Sequence, residues 1–162
     1  MIVEKVLGKL GDAAFAGRAA DVLDIEWYNA NKRIDRKMTR GGKEVGIRMD
    51  HRTSHTGFTQ DDVLHDDGTE VITVNIIPCE CIYVRIDTAA GTFAAGNLAA
   101  FCYEVGNRHA PFYYGESEND FLMPYEEPLK EVIAELGLSP EKTEARLLPE
   151  KKVSARGHGH SH

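Results

Sequence analysis

The chain has 162 residues, 42% hydrophobic and 28% charged, with a formal net charge of −7. That length holds one ordinary domain or two small ones, and the acidic balance offers no electrostatic attraction to nucleic acid or anionic lipid. No apolar run approaches the ~20 residues of a membrane span. The opening MIVEKVLGKLGDAAF lacks the apolar stretch of a secretory leader, and the three cysteines Cys79, Cys81 and Cys102 have no framework spacing, so a reduced, cytoplasmic chain is expected.

The first seventy-odd residues read as short strands. MIVEKVLGKL alternates in part and ends at Gly11, and residues 21–30 carry Val22, Leu23, Ile25, Trp27 and Tyr28, a β-rich mixture. Residues 33–40 and 43–49 flank Gly41-Gly42, a hairpin signal, because glycine reaches positive φ without a Cβ clash. TQDDVLHDDG is predicted to make one short helical turn followed by an Asp67-Gly68 turn, and TEVITVNII to make a further strand. Short strands at this turn-rich spacing predict a small β-sandwich or open barrel over residues 1–76.

The pattern changes near Pro78. CIYVRID alternates, with Ile82, Val84 and Ile86 on one face and Cys81, Tyr83 and Arg85 on the other. A helix is predicted next, its apolar stripe formed by Ala90, Ala94, Leu98, Phe101, Cys102 and Val105, with Asp87 or Thr88 as cap and Gly106 as the left-handed stop. Strands follow near APFYYG and DFLMPY. A second helix, PLKEVIAELG, has Leu129, Val132, Ile133 and Leu136 as its stripe and Gly137 as its end. TEARLL, residues 143–148, predicts a last strand. The order β-α-β-β-α-β over residues 77–149 is that of a ferredoxin-like domain. The fold class predicted is therefore α+β: a small all-β domain, a ferredoxin-like domain, and a disordered histidine-containing tail over residues 150–162.

The P-loop, the zinc-protease H-E-x-x-H, the G-x-S-x-G elbow and a dinucleotide-binding glycine motif are all missing. Asp61, Asp62, Asp66 and Asp67 lack the alternate spacing of a calcium loop and read as a cap and a turn. Cys79 and Cys81 lie two apart on a strand and face the same way. Such a pair can hold a soft metal, but the reading adopted is two small half-buried residues. Cys102 falls in the helical stripe and reads as core. His51, His55 and His65 sit in polar segments and read as surface side chains.

His109 stands where a helix stops and a strand begins. It reads either as a structural histidine or as half of a metal site. One imidazole does not make such a site, because zinc or nickel wants three or four donors. A two-fold axis beside this edge would bring two copies of His109 onto one ion. The tail ends GHGHSH, with His158, His160 and His162 alternating with Gly159 and Ser161. Imidazoles two apart lie on one side of an extended segment, and neutral imidazole suits zinc, copper and nickel. A cloning remnant and an inert tail are the competing readings.

CYEVGNRHAPF, with Gly106-Asn107-Arg108-His109 at its centre, resembles the UreE family of urease accessory proteins, which are nickel metallochaperones. TGFTQDDVLHDDGTEVITV is similar to the first-domain segment of that family, and IIPCECIYVRID, with Glu80, to the segment joining its two domains. A histidine-rich tail is common there too. The resemblance implies a β domain that binds partner proteins and a ferredoxin-like domain that binds metal and dimerises. It implies that His109 from both subunits of a homodimer holds one Ni²⁺, and that the tail histidines add ligands or sites. It also implies delivery through the urease accessory GTPase to the complex of urease apoprotein and accessory proteins.

The function expected is a non-enzymatic nickel carrier, with His109, His158, His160 and His162 as ligands and with Zn²⁺ or Cu²⁺ able to bind as well. The alternative is a β-domain adaptor with incidental metal affinity. A metal-dependent hydrolase would need an open coordination position and a nearby base. Glu104 lies close to His109 in sequence but has no paired carboxylate.

Overall fold

The structure is a computed structural model that describes residues 1–49, 57–86 and 95–153. These fall into two compact units, Met1–Pro78 with Leu148–Glu150, and Cys79–Leu147 with the chain from Lys151. No helix among the described residues is long and apolar enough to cross a membrane.

In the first unit β1 (Ile2–Val3), β4 (Ile34–Met38) and β5 (Glu44–Arg48) form a three-stranded sheet in the order β1-β5-β4. A four-stranded sheet has the order β2-β6-β7-β3, from β2 (Gly8–Lys9), β3 (Ala19–Ile25), β6 (Asp62–Asp66) and β7 (Glu70–Ile76). The pairs β1/β5 and β3/β7 are parallel and the others antiparallel. Alternation on the strands sends Val45 and Ile47 of one sheet, and Leu23, Ile25, Ile72, Val74 and Ile76 of the other, into one shared core.

The β4–β5 hairpin forms as the glycine pair predicts, but the two glycines do different work. Gly42 takes the left-handed conformation (φ 84°). Gly41 is needed for space, since a Cβ there would lie 2.6 Å from a carboxylate oxygen of Asp21. That buried carboxylate accepts hydrogen bonds from the Thr39 hydroxyl at 2.7 Å and from the Gly41 N–H at 2.8 Å, fastening the turn to β3.

The helical turn expected in TQDDVLHDDG is not formed. Residues 62–66 are β6, with Val63 and Leu64 buried on its opposite faces. The aspartates do organise turns. Asp62 accepts the Thr59 N–H at 2.8 Å, and Asp67 accepts the N–H groups of Thr69 and Glu70 at 2.9 and 2.8 Å. Carboxylates that cap turns and carboxylates that start helices look alike in sequence, because both satisfy free N–H groups.

The second unit runs β8 (Cys79–Arg85), α1 (Ala95–Asn107), β9 (Tyr113–Tyr114), β10 (Asp120–Pro124), α2 (Glu127–Glu135) and β11 (Glu141–Ala145). Its sheet is antiparallel throughout, in the order β11-β8-β10-β9. Ile82, Val84 and Ile86 pack with Phe101 and Val105 of α1 and with Leu129 and Ile133 of α2. The α+β class follows from these two units. The last strand starts two residues earlier and ends three earlier than TEARLL suggested. The cap residues Asp87 and Thr88, and Ala90 and Ala94 of the expected stripe, lie outside the described residues.

One expectation for α1 is corrected. Phe101 and Val105 are fully buried, whereas Leu98 is 38% exposed and Cys102 is exposed. Residues 98 and 102 share a helical period with 101 and 105, yet they lie on the neighbouring face. Periodicity alone cannot say which of two adjacent apolar stripes meets the core.

Replacing Asp21 with Ala should destabilise the first unit by about 2 kcal/mol, because the Gly41 N–H and Thr39 hydroxyl lose a charged acceptor. Burial pushes the Asp21 carboxyl up, but the hydrogen bonds from Thr39 and Gly41 and the charge of Lys43 outweigh it, and the group sits below the ordinary range. A lowered folded-state value means its contribution is present above the unfolded-state value, ~3.9, and is lost as pH falls through the folded one. Unfolding titrations at pH 7 and pH 3 should therefore show the D21A penalty shrinking with acid.

Candidate metal centre

Two helices of the second unit stop by the same backbone motif. At the end of α2, Gly137 N–H donates to Ala134 O (2.9 Å) and Leu138 N–H to Ile133 O (3.4 Å), with Gly137 left-handed at φ 83°. At the end of α1, His109 N–H donates to Gly106 O (3.0 Å) and Ala110 N–H to Val105 O (3.1 Å), with His109 left-handed at φ 53°. These paired bonds define a Schellman stop, whose left-handed position is usually glycine. His109 holds that position here.

The left-handed stop expected at Gly106 is thus three residues too early. Gly106 is inside α1, and His109 turns the chain. The signal in the sequence was Pro111, since a proline commonly follows a helix end by one to three residues.

The stop is anchored on both sides. Val105 is buried, Ala110 and Phe112 pack against the same core, and the Phe112 ring meets Phe101 edge-on at 5.6 Å and stacks on Phe121 at 4.9 Å. Between these anchors the imidazole of His109 is exposed. Arg108 pairs with Glu104 one turn back at 3.9 Å, so the neighbouring guanidinium already shares its charge with a carboxylate.

His109 lines a surface recess of ≈ 410 Å³ with Cys102, Gly106, Phe112, Lys152 and Val153. The chain reaches that recess because Lys152 forms a β-bridge with Tyr113 and the Val153 N–H donates to Phe112 O at 2.8 Å. Among the described residues, no group of three or more His, Cys, Asp or Glu side chains could hold a metal ion. His109 therefore brings one nitrogen donor, and among the described residues it is not part of a group of three such side chains. His158, His160 and His162 lie outside the described residues, as do His51 and His55. His65 is on β6, in the other unit.

The family model for the N-terminal domain of the UreE urease accessory protein matches residues 3–76, and that for its C-terminal domain matches residues 84–162. A urease accessory protein UreE of Acetivibrio thermocellus is 36% identical over 162 residues, covering 100% of this chain and 99% of its own. The chain belongs to the UreE family of urease accessory proteins. Two UreE proteins of Helicobacter pylori are also similar. That of strain Shi470 is 37% identical over 85% of this chain and 77% of its own, and that of strain G27 is 34% identical over 95% and 86%. UreE proteins are accessory chaperones in urease maturation and not enzymes.

Two substitutions separate the shape of this site from its donor. His109→Gly should raise stability by about 1 kcal/mol, because glycine takes the left-handed conformation without Cβ strain. His109→Ala has no such relief and should not stabilise. Both remove the imidazole, so the two should behave alike in a metal titration. Denaturant unfolding and metal titration of the two variants side by side read these effects independently.

Proposed function

We propose that this UreE-family chain is a nickel carrier of the cytoplasm. Its core site is one Ni²⁺ held by His109 from each subunit of a homodimer, and His158, His160 and His162 supply further ligands. The observation that carries this reading is the convergence at one recess. His109 lines it, and so does Val153, from which the histidine segment departs. Fully extended, the chain spans about 17 Å from Val153 to His158 and about 30 Å to His162, which is ample to reach an ion at His109.

The need for a second subunit follows from the donor count. His109 alone cannot hold nickel, and the outer side of α1 leaves Leu98, Cys102 and Tyr103 exposed, of which Cys102 lines the same recess as His109. A second copy packed on that face would bury these side chains and bring a second imidazole toward the first. Metal selection would then rest on supply and partner, because imidazole sites favour copper over nickel. The recipients in this reading are the accessory GTPase and the urease apoprotein complex.

For residues 1–76 the proposed role is docking to partner proteins. Ile2 is 68% exposed, and Ile34 and Met38 on β4, an edge strand, are 79% and 57% exposed. These lie on one face of the three-stranded sheet among Arg36, Glu44 and Arg48, and this is the face the proposal assigns to a partner.

Nickel titration combined with mass determination of the assembly tests the reading, on the full chain and on a chain ending at Val153. The expected result is a dimer that keeps one nickel after truncation and binds fewer ions than the full chain. His109→Gly in the truncated chain should remove that last ion. A truncated H109G dimer that still holds one nickel would overturn the assignment of His109.

A further inference from the structure

A short strap, Lys151 to Val153, lies along the residues that follow the α1 stop. Three contacts hold it there. The Lys151 ammonium donates to Gly115 O at 2.9 Å, Lys152 forms an antiparallel β-bridge with Tyr113, and the Val153 N–H donates to Phe112 O at 2.8 Å. The surface beneath is firm, since Tyr113 is buried and the Phe112 ring stacks on Phe121. The strap itself buries little. Lys152 is exposed and Val153 half-buried. Each of these hydrogen bonds contributes about 1 kcal/mol net. Their larger consequence is positional, because Lys152 and Val153 end up lining the recess that His109 lines.

Position matters to a ligand carried on the same chain. The local concentration of a tethered group falls as about the −3/2 power of the tether length. The tether is counted from the last fixed residue. With the strap docked that residue is Val153, and His158 follows it by five (158 − 153). With the strap released the nearest buried side chain in the same unit is Leu147, which precedes His158 by eleven (158 − 147). Docking therefore raises the local concentration of the His158 imidazole at His109 about threefold.

We infer that Val153, with Lys151 and Lys152, is a positioning element for the metal site. It offers no donor and acts by fixing where the histidine segment starts. This rests on the reading that tail histidines join the ion at His109. The coupling is reciprocal. An ion held by both His109 and the tail closes a loop over the strap and holds the Val153 N–H against Phe112 O.

The test is competition for nickel against a metallochromic indicator. It uses the full chain and a full-length variant carrying His158→Ala, His160→Ala and His162→Ala, each with and without Val153→Pro. Proline has no N–H, so the bond to Phe112 O is lost. V153P should weaken nickel binding about threefold in the chain with tail histidines and leave the triple-alanine chain unchanged. A second variant keeps the strap whole. Fifteen Gly and Ser residues inserted after Val153 stretch the tether from five residues to about twenty and should weaken binding about eightfold. Hydrogen exchange at the Val153 amide should slow on nickel loading only where the tail histidines are present. An inserted linker that leaves affinity unchanged, in a chain whose tail histidines do strengthen binding, would overturn the strap's role and leave the tail ligands standing. Equal weakening by V153P in both backgrounds would overturn it as well. Equal affinity of the parent and triple-alanine chains would instead remove the tail reading, and the strap's role with it.

Discussion

Two backbone hydrogen bonds, from His109 N–H to Gly106 O and from Ala110 N–H to Val105 O, are the constraint on which the candidate site depends. They end α1 and reverse the chain within two residues. The residue at the apex must be left-handed, and whatever side chain it carries points away from the helix that has just ended. The same unit shows the default solution at Gly137. Histidine at the equivalent place in α1 costs conformational strain of about 1 kcal/mol relative to glycine. Held between buried Val105 and the packed Phe112, that strain cannot relax by shifting the turn. A side chain retained against its own backbone preference is a reason to look for chemistry there.

Much of this was legible from the sequence. The β-α-β-β-α-β order of the second unit came from alternation in CIYVRID and the stripe of PLKEVIAELG, where period and burial agree. The hairpin at Gly41-Gly42 was equally plain, although the close approach of Asp21 to Gly41 was not, since nothing local reports a contact made twenty residues away. Residues 62–66 were misread because aspartates before an apolar pair signal a helix start as readily as a capped turn. The position of His109 was legible, but its conformation was not. The glycine at 106 drew the stop to itself, although Pro111 argued for a later one.

The misreading of α1 is informative about assembly. Leu98 and Cys102 fall in the helical period of a core stripe, and the monomer leaves them at its surface. A single exposed imidazole and an uncovered apolar stripe occur on the same helix and its stop. Each is incomplete for a different reason, one in donors and the other in burial. In the homodimer proposed above, symmetry would supply an identical donor and an identical apolar face at once.

A chain that carries a metal, as proposed above, has to release what it binds. A site built from surface side chains can open one bond at a time, so its ion can be taken over by a competing ligand without the fold opening. Imidazoles alone do not exclude copper, since divalent copper outcompetes nickel at nitrogen donors.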